Sequence, residues 1–300
     1  MFFSIFRAPL LLGLAGLLLL NLPLSALAKK TYPALTSCAN PDLQSGLETS
    51  IESLQLEQAV RNGSLCVAVV DITDPESPRL AEVNGDKMMY AASLPKIAIL
   101  LGAFERIERG ELTLTSELRD KLTRMIRNSS NSAATEMLNL VGKDYLAQLL
   151  QSPRYRLYDP QQKGGLWVGK DYGGAAAWKR DPLANLSHGA TAVQVARFFY
   201  LLETGQLVSP EMSRQMKEIL GQPAIHHKFV KGLEQARPEA KIYRKSGTWR
   251  NFHADGGIIE HAGRRYIAVA LADDPQGGQW LSKLIVAVDD LICRSGAAVL

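Results

Sequence analysis

Ser93 and Lys96 stand three positions apart at the head of a long apolar run, with Pro95 between them. A proline there suits the first turn of a helix, and side chains three apart on a helix lie over one face. A serine hydroxyl is a poor nucleophile until a neighbouring base takes its proton. A lysine becomes that base when burial, a helix N-terminus or a second cation destabilises its ammonium. The chemistry implied is attack by Ser93 on a carbonyl, giving an acyl-enzyme. Alone the pair is weak, since ordinary residue usage yields roughly one such pair in a chain of this length.

Two further groups stand behind it in order. Ser129, Ser130 and Asn131 fall between two helical patterns, where hydroxyls and an amide face a cleft or simply punctuate helices. Lys245, Ser246, Gly247 and Thr248 fall on a strand pattern. Gly247 permits close approach to the strand backbone, whose amides suit an extended substrate or an oxyanion. A lysine on an edge strand also serves simply to protect it.

The elements that must position these groups are legible from periodicity. Residues 42–61 carry Leu43, Leu47, Ile51, Leu54 and Leu56 at near-helical spacing. Strands follow at 66–72 and 80–83, then helices at 96–109 and 116–127. Ser132 is positioned to cap the next helix, which ends near Gly142. Helices at about 191–204 and after Ser209-Pro210-Glu211 follow a stretch from Tyr155 to His188 rich in Gly, Asp and Pro. Strands at 241–250, 257–261 and 265–273, separated by turns at 251–256 and 262–264, lead to a final helix at 278–293. The fold class expected is α/β (an α+β sandwich): an antiparallel sheet built from both chain ends, flanked by terminal helices, with a helical insertion. The expected division is residues 29–92 with 215–300 as the α/β part. Residues 93–214 form the all-helical part, carrying an active-site loop at about 155–188.

On these three motifs, in this order and on helix start, turn and strand, the sequence resembles the penicillin-recognising serine hydrolases, most closely the class A β-lactamase-like group. The resemblance spans most of the chain after its leader, and Met125-Ile126 and Ala133-Ala134 fit the surroundings of the middle motif. It implies that Ser93 is acylated, Lys96 helps take its proton and Ser129 passes a proton to the leaving nitrogen. Asn131 would hold Lys96 and the substrate amide, while Lys245, Ser246 and Thr248 would grip a substrate carboxylate. The backbone amides of Ser93 and Thr248 would form the oxyanion hole. The activity implied first is opening of a β-lactam amide through the acyl-enzyme; the alternatives are a peptidoglycan D-Ala-D-Ala carboxypeptidase or endopeptidase on the same fold and a sensor that penicillin labels without turnover.

The sequence departs from that group in three places. The interval between Ser93 and Ser129 is short, Ser130 replaces the usual aspartate, and the deacylating glutamate has only Asp181 in its place, with Asn185 beyond it. Asp181 equally suits a turn or a salt bridge with Arg180. Arg250 is a candidate second cation for a carboxylate. Tyr90 and Trp167 are candidate cleft walls, Trp249 with Arg250 is a candidate to shape the substrate side of the strand, and His253 suits a solvated hairpin more than the cleft.

Bulk properties narrow the setting. Arg7, the apolar run from Leu10 to Leu20 and Ala26-Leu27-Ala28 read as a secretory signal peptide over 1–28, cleaved after Ala28. The product is expected to be secreted to the periplasm and monomeric, without stable membrane insertion. A net charge of +4 with scattered basic residues excludes a nucleic-acid stripe. No zinc-type spacing or histidine cluster appears, so neither metal nor cofactor is expected. Export permits a disulfide among Cys38, Cys66 and Cys293, with a 38–293 bridge expected if the chain ends meet.

Overall fold

The β-branched run at 65–71 becomes β1 (Leu65–Asp71), and its alternation decides the architecture. Cys66, Ala68 and Val70 point into one hydrophobic core, while Leu65, Val67 and Val69 point into another. A strand buried on both faces lies centrally in a sheet covered on both sides. In the computed structural model, which describes residues 1–3 and 30–294, that layering is what Tyr32 onward adopts. Met1–Phe3, Lys30 and Thr31 belong to a separate N-terminal unit. Most of the expected signal segment lies outside the described residues.

Before β1 come α1 (Pro41–Ser53), capped by the Asn40 side chain, and α2 (Glu57–Arg61). The single helix expected over 42–61 is thus broken at Leu54–Leu56. Gln55 takes a left-handed φ of 58°, and both Leu54 and Leu56 turn to the same core. Residues two apart in an unbroken helix point to nearly opposite sides. After β1 follow β2 (Arg79–Val83) and β3 (Met89–Tyr90), then α3 (Lys96–Glu108), α4 (Ser116–Arg127), α5 (Asn131–Val141) and α6 (Lys143–Gln151). Ser130, not Ser132, caps α5: its Oγ accepts the Ala133 N–H at 3.2 Å. The α6 helix follows Gly142 directly and was not expected.

The stretch from 155 to 188 begins with the short strands β4 (Tyr158–Asp159), β5 (Gly164–Gly165) and β6 (Trp167–Val168), runs through turns and bends from Gly169 to Ser187, and ends at β7 (His188–Ala190). Next come α7 (Ala192–Glu203), α8 (Pro210–Leu220), the unexpected α9 (Phe229–Ala236), β8 (Lys241–Trp249), β9 (Phe252–His261), β10 (Arg264–Asp273) and α10 (Gly277–Arg294). Residues 252–256, expected as a turn, are strand. Trp249 pairs with Phe252, so only Arg250 and Asn251 turn the chain, and Asp255 and Gly256 pair with Ser246 and Lys245.

The main sheet runs β2-β1-β10-β9-β8 with antiparallel pairing throughout, so strands from both chain halves meet at β1 and β10. One face carries α1, α9 and α10; the other carries the remaining long helices, with α3 buried along almost its whole length. A smaller sheet, β3-β7-β6, ties Met89-Tyr90 to His188–Ala190. No described helix is long and apolar enough to cross a membrane.

The expected Cys38–Cys293 bridge is absent, and all three cysteines are free. Cys38 packs on the helical face and its Sγ lies 3.3 Å from the Ala34 carbonyl. Cys293 sits near the end of α10, beside His261 and Asp289. Although α1 and α10 share one face of the sheet, Cys38 packs on the opposite face from Cys293.

Candidate active site

Ser93 sits in the turn that leads into α3. Its carbonyl accepts the Lys96 N–H at 3.2 Å, and Ala92 before it has a left-handed φ of 49°. The preceding segment is held by β3 against β7, and the Ala91 N–H donates to the His188 carbonyl at 2.9 Å. Behind Ser93 runs β8, an edge strand. A Cβ on Gly247 would fall 2.2 Å from the Ala91 oxygen and 2.7 Å from the Ser93 nitrogen, so glycine is what lets strand and nucleophile loop touch. Ser93, Asn131 and Thr248 line one cleft of about 510 Å³ with Tyr172, His188 and Trp249.

Lys96 projects from the first turn of α3 and is fully buried. Its Nζ donates to the Ser129 carbonyl at 2.6 Å and to Asn131 Oδ1 at 2.8 Å, and lies 3.3 Å from Ser129 Oγ. Ser129 reaches that position through a φ of 55°, a strained conformation of the kind found at functional sites. Lys245 Nζ donates to the same Ser129 Oγ at 2.9 Å. One hydroxyl thus bridges two buried amines. Desolvation pushes Lys96 down to about 7. Desolvation, then the Lys96 charge, push Lys245 well below the ordinary lysine range. Lys96, one turn after Ser93, is thus a base near neutrality, and the Ser129 hydroxyl beside it can relay a proton.

The far wall is aromatic. The Tyr172 ring stacks on His188 at 4.2 Å between centroids, and the Lys96 ammonium lies 4.6 Å from the Tyr172 centroid. Desolvation, then the charges of Lys170 and Lys96, push His188 down to about 3, so its imidazole is neutral. These residues lie in the Gly-rich stretch where the sequence offers no periodicity.

Asp181 stands apart. Its carboxylate accepts the Leu183, Ala184 and Leu186 N–H groups at 3.1, 2.9 and 2.6 Å and the Tyr158 hydroxyl at 3.1 Å. It is buried in its own loop, and among the described residues lining the Ser93 cleft none is a carboxylate. Asn185, with a φ of 54°, is exposed; its carbonyl accepts from Arg180 and its N–H donates to the Asp181 carbonyl. Arg250 is exposed in the β8–β9 turn, 5.7 Å from the Trp249 ring, and does not line the cleft. Trp167 is buried against Tyr158.

Behind β8 lies a group that the sequence did not single out. His227 Nε2 sits 3.0 Å from Ser246 Oγ. Lys228 reaches under the hairpin to Thr248 Oγ1 at 2.8 Å and the Ala254 carbonyl at 3.1 Å. Arg244 and Asp255, both buried, pair at 3.5 Å beside it. Far from the cleft, His261, Asp289 and Cys293 bring donor atoms within 4.8 Å of one another. Arg237 at 2.9 Å and the Tyr266 hydroxyl at 3.0 Å hold the Asp289 carboxylate, closing that network.

The model of the beta-lactamase enzyme family matches residues 47–119 and 113–294. No curated protein matches the sequence. Among solved structures, a β-lactamase from Sphaerobacter thermophilus is 17% identical with a TM-score of 0.64, covering 81% of this chain and 95% of its own. A β-lactamase from Xanthomonas campestris is 16% identical with a TM-score of 0.65, covering 83% and 98%. A variant of PBP-A, solved as an acyl-enzyme complex with penicillin G, is 18% identical with a TM-score of 0.64, covering 85% and 98%. At these identities the solved structures establish likeness of fold.

Proposed function

The chain belongs to the beta-lactamase enzyme family, and from that premise we propose that it is an exported serine hydrolase acylated at Ser93, acting on peptides that end in D-Ala-D-Ala. Neutral Lys96 takes the Ser93 proton as Oγ attacks the substrate carbonyl. The N–H groups of Ser93 and Thr248 receive the oxyanion. Ser129, between the two lysines, passes a proton to the leaving nitrogen as the amide bond breaks. Lys245, Ser246 and Thr248 receive the substrate carboxylate, and Asn131 holds Lys96 and the substrate amide.

One observation carries the choice of peptide over β-lactam: the Asp181 carboxylate is committed to its own loop, and the cleft wall is the Tyr172–His188 stack. An acyl group derived from a β-lactam keeps its leaving amine tethered, so clearing it needs a well-activated water. A peptide releases D-alanine as a free amine, leaving room for water or an acceptor amine to reach the ester. This ordering makes the carboxypeptidase or endopeptidase reading primary and rapid β-lactam hydrolysis secondary. PBP-A offers a parallel in the penicillin G acyl-enzyme recorded for its variant. Export rests on the leader pattern at 1–28.

Intact-mass measurement after mixing with penicillin G tests this. The expected result is a persistent adduct of one drug mass, absent in Ser93→Ala, together with D-alanine release from a D-Ala-D-Ala peptide. Consumption of drug without a persistent adduct makes it a β-lactamase. A persistent adduct without D-alanine release makes it a penicillin-labelled sensor. No adduct removes Ser93 as nucleophile.

A further inference from the structure

Lys228 has no part in the chemistry described so far, yet it occupies an unusual place. It is 2% exposed, stands at the entry to α9 with a left-handed φ of 53°, and reaches beneath the β8–β9 hairpin. Its Nζ donates to the Gly247 carbonyl, to Thr248 Oγ1 and to the Ala254 carbonyl. The Gly247 carbonyl and the Thr248 N–H are opposite ends of one planar trans peptide, since the described chain has no cis bond. In a trans peptide these two groups point in opposite directions. A cation on the carbonyl oxygen draws electron density out of the amide and makes its N–H a stronger donor. In a buried setting that polarisation is weakly screened.

We propose that Lys228 is a positioning residue that strengthens and aims the Thr248 N–H as an oxyanion donor, acting through the Gly247–Thr248 peptide. The inference rests on the reading of Ser93 and Thr248 under Proposed function. Three observations carry it. The strand stands against the nucleophile: a Cβ on Gly247 would lie 2.7 Å from the Ser93 nitrogen, and Ser93 and Thr248 line the same cleft. The cation is held in place by a strained backbone, where an apolar side chain would satisfy packing alone. Its ammonium is also retained: burial lowers Lys228 only to about 8, with Asp255 opposing the loss of its proton, so it is cationic at neutral pH.

The test is infrared difference spectroscopy of the penicillin G acyl-enzyme, joined to the acylation rate, for wild type, Lys228→Met, Lys228→Gln and Lys228→Arg. A weaker oxyanion donor leaves the acyl ester carbonyl less polarised, so its stretch moves to higher wavenumber. The expected result is that Met and Gln raise that frequency and slow acylation by roughly 10- to 10²-fold, less than losing a donor outright, while Arg restores most of both. If Met prevents folding, the Gln and Arg variants decide. A Gln variant that acylates slowly with the carbonyl band at its wild-type position makes Lys228 a structural prop and overturns the proposal. So does a wild-type rate in the Gln variant. A wild-type protein that forms no adduct overturns the Ser93 reading and this inference with it, whereas a wild-type adduct with an unmoved variant band overturns this inference alone.

Discussion

Lys96 is where the proposed chemistry makes its most direct demand on a single residue. A lysine with its ordinary pKa is protonated at neutral pH and cannot accept a proton from serine. Burial at the start of α3 brings it down to about 7, so a useful fraction is the free amine. The sign follows from the base role: the amine is active, so acylation rises with pH and levels off above about 7. Below that it falls roughly tenfold per pH unit. Because Lys96 and Lys245 meet at Ser129 Oγ, the observed midpoint belongs to the pair. Time-resolved intact-mass measurement of acylation across about pH 5 to 9 checks this, and a flat profile would remove Lys96 as the base. Lys96→Met, which keeps the stem and removes the amine, should slow acylation by roughly 10²–10⁴-fold.

The site is assembled where elements press on one another, and Gly247 is the point of closest approach. The β8 backbone there meets the Ala91–Leu94 segment so tightly that an added methyl would fall 2.2 Å from a carbonyl oxygen. That oxygen is backbone tied into the turn before α3, so it cannot swing aside as a flexible side chain would. Gly247→Ala should therefore cost about 1–3 kcal/mol of stability, as overpacking does, and displace the Thr248 N–H from the Ser93 N–H. Denaturant unfolding reads the first effect and the penicillin acylation rate the second, which should drop at least about tenfold. A variant that acylates at the wild-type rate would show that the contact does not set the oxyanion geometry. Elements with strong periodicity, such as α4 over 116–127, were legible from the sequence at their observed ends. α6 and α9 were not, because both are short and each directly follows a residue with positive φ, Gly142 and Lys228. The 252–256 segment read as a turn from its His, Asp and Gly content. Those residues are strand because Arg244 offsets the buried Asp255 and β8 supplies the register.

The whole molecule is held by a central sheet whose middle strands come from opposite halves of the chain. Such a sheet joins the chain ends without a covalent staple. Cys38 and Cys293 lie on different layers and are free, so a reductant should leave the melting temperature unchanged. A bridge between them would contribute about 2–4 kcal/mol, and its reduction would lower the melting temperature by roughly 4–16 °C. A scan with and without reductant separates the two, and a drop of that size would mean that the ends do meet. His261 shares the Asp289 carboxylate with Arg237, Tyr266 and Cys293, a grouping that forms only where β9, β10 and the end of α9 meet α10.

By itself the sequence determined which residue types could do chemistry. Ser93-x-x-Lys96, Ser129-Ser130-Asn131 and Lys245-Ser246-Gly247 are local patterns, and each lies on or between elements whose periodicity announces them. It also determined the sheet's strands and most helices, because alternation and helical spacing are properties of adjacent residues. Only the tertiary structure decided which of the candidates meet. Asp181, Asn185 and Arg250 had suitable chemistry but point into their own loop or into solvent. Tyr172, His188 and Lys228 carried no local signal, yet folding sets them against Lys96 and the Gly247–Thr248 peptide. The reason is physical: a pKa, an oxyanion site and a committed carboxylate depend on distances across elements far apart in the chain, which residue spacing along the chain does not encode.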